Sequence, residues 1–140
     1  MFYKSLTLGL LSISLSACYG ALPPPDYKTW IKPGADSLQV KKSMLECGFP
    51  EIWGLSEPFS KMTPNDTVMA DRCMEQAGYK SKYAPVGFHA FCLRTGDDPY
   101  LPACAPDAVI RKPSVKKRLN SAYCRVEYKR FYSHKPPECF

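Results

Sequence analysis

The chain has no apolar run long enough to cross a bilayer. Its longest, residues 6–15, falls well short of the roughly 20 residues a membrane helix needs. Histidine is scarce: there are two, His89 and His134, and they form no i, i+4 pair. With no H-E-x-x-H and no C-x-x-C, neither a zinc protease, a zinc ribbon nor a thioredoxin-type redox pair is indicated. No G-x-S-x-G nucleophile elbow and no phosphate-binding G-x-x-x-x-G-K occurs, and the eight glycines make no Gly-rich loop. The sequence therefore reads as a non-enzyme with no cofactor and no metal. Paired glycosidase-type carboxylates meet only in a fold, so a cell-wall hydrolase stays as the least favoured alternative.

What is present is ordinary for a folded domain. The 140 residues are 45% hydrophobic and 23% charged, which excludes a disordered tail, a coiled coil and a collagen-like chain and gives one domain as the expectation. Fourteen prolines, about twice the usual share of roughly 5%, argue against long uninterrupted helices.

The N-terminus has the layout of a targeting segment. Lys4 precedes the apolar run, which ends in Leu15-Ser16-Ala17-Cys18. This stretch resembles the lipobox of bacterial lipoproteins. The resemblance implies that residues 1–17 are a cleaved signal peptide. It also implies that Cys18 carries lipid, palmitate included, as the only membrane attachment. Tyr19 follows the cysteine where an inner-membrane retention signal would have Asp, which implies the outer membrane, facing periplasm or surface. The other reading is an ordinary secretory signal cleaved near Ala17 or Gly20. Residues 18–28 then form a linker in which Pro23, Pro24 and Pro25 favour an extended polyproline conformation. Residues 19–28 reach roughly 30 Å at most.

Residues 29–140 are expected to form one disulfide-stapled α+β domain. With Cys18 set aside, six cysteines remain: Cys47, Cys73, Cys92, Cys104, Cys124 and Cys139. An even number in a small exported domain reads as three disulfides. Fifteen connectivities are open; the sequential one is the expectation, Cys47–Cys73, Cys92–Cys104 and Cys124–Cys139.

The expected element order is α-α-β-α-β with a short antiparallel sheet. Asp36 or Ser37 caps a first helix that carries Leu38, Val40, Met44, Leu45 and Cys47; Gly48 stops it and Pro50 prevents a restart. The run Gly34-Ala35-Asp36, Val40, Gly48-Phe49-Pro50 is similar to the first helix of the BamE/SmpA outer-membrane lipoproteins, with three extra residues. Residues 51–62 read as a loop. Thr63 caps a second helix with Pro64 at its first position, and Gly78 follows its end. Residues 86–93 alternate as a strand. Residues 114–121 read as a short helix with Val115 and Leu119 inward. Residues 123–132 alternate as a second strand, with Cys124, Val126 and Tyr128 on one face.

The charge of +6 is uneven. Residues 111–140 hold nine Lys and Arg against two acidic residues, a local charge of +7. Aromatic residues interleave with them. The candidate binding residues are Arg118, Arg125, Lys129, Arg130, Tyr128 and Tyr132. Such a face suits polyanions. An envelope address turns the expectation from nucleic acid to an envelope protein or an anionic envelope polymer. The organisation as a whole resembles small cysteine-rich lipoproteins of proteobacteria and their prophages. The competing reading is an inhibitor or phage-exclusion module acting through loops 51–62 and 94–103.

Overall fold

The computed structural model describes residues 26–53, 62–82, 92 and 101–140. The leader, Cys18 and the proline linker lie outside them, as do the expected strand 86–93, apart from Cys92, and most of the two loops. Cys92 itself has helical backbone.

Helix α1 (Ser37–Cys47) begins with a reciprocal cap. Asp36 accepts a hydrogen bond from the Gln39 amide at 2.8 Å, and the Gln39 side chain accepts one from the Asp36 amide at 3.0 Å. It ends at Gly48, whose φ of 103° is the left-handed conformation that favours glycine. Helix α2 (Pro64–Gln76) is capped by Thr63, with Pro64 where its missing N–H costs nothing. Lys32 reaches across to donate to the carbonyl of Ala77 at 2.7 Å, just past the end of α2. Two short strands, β1 (Trp30–Ile31) and β2 (Lys80–Ser81), pair antiparallel, Trp30 opposite Ser81 and Ile31 opposite Lys80. They tie the approach to α1 to the exit from α2. The domain is thus α+β, with helices dominant and the sheet minimal.

The disulfides are the sequential ones. Cys47–Cys73 links α1 to α2, Cys92–Cys104 closes a loop, and Cys124–Cys139 folds the last residues back. The 3-10 turn Pro102–Cys104 docks on α2, where Arg72 donates to the carbonyls of Ala103 and Ala105 and Asn65 accepts from the Ala103 amide.

Helix α1 serves two cores. Val40, Met44 and Cys47 pack with Trp30, Phe49, Ala70, Cys73, Met74, Tyr79 and Ile110. Leu45 faces another side, against Ile52, Tyr123, Cys124 and Cys139. The second core is small and depends on the C-terminal segment lying over α1.

That segment departs from expectation. Residues 123–132 are not a strand: α4 (Ala122–Arg125) and a 3-10 turn (Glu127–Arg130) occupy them. The reason lies in adjacent residues. Tyr123 and Cys124 are both buried, whereas a strand would send neighbours to opposite faces. Ser121 caps the turn by accepting from the Cys124 amide at 3.2 Å, and Val126 is 63% exposed. Helix α3 (Val115–Leu119) forms where expected, capped by Ser114, but with a different face inward. Val115 and Leu119 are 53% and 39% exposed, and Arg118 is buried instead.

Candidate functional site

Arg118 organises the C-terminal region from within. Its Nε pairs with the Glu46 carboxylate of α1 at 2.9 Å. Its Nη1 donates to the carbonyl of Glu138 at 2.7 Å and also to the Phe140 oxygen. One planar guanidinium thus joins α1, α3 and the last residues of the chain, a task its fixed fork of donors suits. Arg118 is therefore a clamp inside the domain and no member of an exposed binding face.

Glu138 is held from two sides. Its backbone meets Arg118, and its carboxylate accepts from the Tyr123 hydroxyl at 2.8 Å in the second core. Burial pushes the Tyr123 phenol far above its ordinary pKa, with the bond to Glu138 adding to the shift. Burial also raises Tyr132, helped by the charge of Glu138 and by Tyr27. Both tyrosines stay neutral hydrogen-bonding groups across the physiological range.

Next to this clamp the chain builds an aromatic wall. Tyr27 meets Trp53 edge-on at 5.5 Å, and Phe131 lies 6.5 Å beyond Trp53. Lys41 of α1 lays its ammonium 4.7 Å from the Tyr27 ring and 5.4 Å from Trp53. Between the start of α1 and residues 131–138 lies a cleft of about 540 Å³. That size accommodates a small ligand. Lys41 and Lys135 supply its cationic lining, Phe131, Tyr132 and His134 its rings, and Glu138 its one acidic residue.

The remaining candidate residues fall into two groups. Tyr132 lines the cleft, and Tyr128 packs half-buried against the second core. Arg125, Lys129 and Arg130 are exposed on α4 and the turn after it. Arg111, Lys112, Lys116 and Lys135 are exposed as well, whereas Glu127 is half-buried and Glu138 buried. Residues 111–140 therefore expose seven cationic side chains and not one fully exposed acid. Lys117 is the exception among the lysines: partial burial lowers its pKa, Arg111 lowers it further, and Asp66 pulls the other way.

Sequence reasoning missed Lys41, Tyr27 and Trp53 as neighbours of the basic segment. Lys41 sits on a helix whose apolar pattern marks the core face, and nothing in that pattern says what the other faces meet. Among the described residues no helix is long and apolar enough to cross a membrane, and no group of three His, Cys, Asp or Glu is placed to hold a metal ion. Compared with known protein families, curated proteins and solved structures, the chain matches none of them.

Proposed function

We propose that this is a lipid-anchored protein of the bacterial cell envelope that works by binding. Cys18 carries the anchor, and the proline linker holds the domain close to the outer membrane. The exposed basic and aromatic side chains of residues 111–140 engage an envelope protein with an acidic surface or an anionic envelope polymer. One observation carries this reading: the side chains that residues 111–140 expose fully include seven cations and no acid. Removing Arg118 from the set sharpens the face to Arg125, Lys129 and Arg130, with half-buried Tyr128 beneath. Charges of one sign gathered on a surface steer an oppositely charged partner and lose that effect as salt rises.

The test is crosslinking in living cells, followed by recovery of the lipidated protein and mass spectrometry. A partner enriched over a Cys18→Ser control is expected. Reversing Arg125, Lys129 and Arg130 to Glu is expected to abolish that recovery while the disulfides and helical circular dichroism stay intact. Unchanged recovery by the folded triple variant refutes the basic-face reading.

A further inference from the structure

We infer that the cleft between α1 and residues 131–138 is a binding site for an acidic sugar, a pyranose ring bearing a carboxylate or a phosphate. The site is distinct from Arg125, Lys129 and Arg130, none of which lines it.

Three features of the lining point to that class of ligand. The first is charge. Lys41 and Lys135 are cations whose ammonium groups meet aromatic rings, Tyr27 and Trp53 for Lys41 and Phe140 for Lys135. Neither pairs with a carboxylate among the described residues. Each has hydrogen-bonding capacity left for an anion, and a charge-assisted bond to one is the stronger kind. The second is shape. Phe131 and Tyr132 place aromatic rings in the lining, the kind of group on which the C–H face of a sugar stacks, and the volume of about 540 Å³ holds a sugar or two. The third is a neutral polar group: Ser133 brings a hydroxyl that donates to or accepts from a sugar hydroxyl, whereas the Glu138 carboxylate is buried and taken by Tyr123. A simple inorganic anion would leave the rings unused, and a neutral sugar would leave the lysines unused.

Trp53 is a built-in reporter, since Lys41 and Phe131 both touch its ring. Full-length protein in detergent is titrated with N-acetylglucosamine, N-acetylmuramic acid and N-acetylglucosamine 1-phosphate while tryptophan emission is read. A saturable change with at least one acidic sugar, at least tenfold tighter than with the neutral one, is expected. Saturation by N-acetylmuramic acid alone assigns a cell-wall carboxylate, and saturation by N-acetylglucosamine 1-phosphate alone assigns a phosphorylated sugar. Lys135→Gln, at an exposed position, is expected to weaken binding at least tenfold, and Lys41→Gln to do the same. The triple Glu variant at Arg125, Lys129 and Arg130 is expected to bind as the parent does, which separates this site from the partner face. No saturable response to either acid, equal binding of the neutral sugar, or full binding by Lys135→Gln overturns the assignment.

Discussion

Replacing Arg118 by Ala tests the clamp directly. Arg118 is 5% exposed and makes an ion pair and two contacts to backbone oxygens. Removing one partner of a buried ion pair costs about 3–5 kcal/mol, because the other charge stays behind unpaired. Here the Glu46 side chain retains 17% exposure, so water recovers part of its solvation and the lower end applies. The Glu138 carbonyl belongs to a residue 2% exposed and is left without that donor, a loss of about 1–3 kcal/mol when no water replaces it. The Cys124–Cys139 bond holds the segment near its place, so water reaches the orphaned carbonyl only in part. We expect a net loss of about 3–4 kcal/mol. Arg118→Lys keeps a charge but has no fork to span Glu46 and the backbone oxygens together, so about half of that loss is expected. Urea unfolding with disulfides intact, followed by tryptophan emission, measures both. A double-mutant cycle with Glu46→Gln should give a coupling of about 1.5–3 kcal/mol. A loss below about 1 kcal/mol for Arg118→Ala, the range of ordinary surface changes, refutes the clamp.

Two further outcomes follow from the same geometry. Gly48→Ala is expected to destabilise by about 1–2 kcal/mol in the same urea assay, because φ is 103° there and an added Cβ would lie 2.8 Å from the Lys117 Nζ; a neutral result would mean the helix end is free to rearrange. Tyr123 makes stability pH-dependent: its folded pKa is raised, so its contribution is complete below the ordinary phenol value of about 10 and is lost as pH climbs above that value. Absorbance at 295 nm should therefore show fewer phenols ionised in the folded protein than in urea, Tyr123 among those withheld, and Tyr123→Phe should flatten the alkaline fall in stability. Ionisation of Tyr123 near the ordinary phenol value, with the fold intact, would contradict its burial against Glu138.

The features legible in the sequence were those set by residues close together along the chain. Asp36 or Ser37 and Thr63 marked helix starts because a short oxygen-bearing side chain satisfies the first free amides. Gly48 marked a stop because a left-handed residue costs glycine little. The disulfides joined cysteines adjacent in order, the shortest loops to close.

Where partners are distant, tertiary structure decided. The alternation of residues 123–132 is compatible with a strand, but Tyr123 and Cys124 both had to reach the segment at 138–139, and only a turn of helix puts adjacent side chains on one side. Val115 and Leu119 carried the apolar signal in α3, yet Arg118 went inside because Glu46, 72 positions away, was there to neutralise it. The cleft likewise joins Lys41 of α1 to residues 131–138, and no local pattern records that meeting. Capping and turn preferences are properties of a few neighbouring residues, so the sequence by itself determined the helix ends, while the fold chose the cysteine pairing among fifteen. Burial of a charge depends on what the rest of the chain brings to it, so the roles of Arg118, Glu138 and Lys41 were decided by the fold.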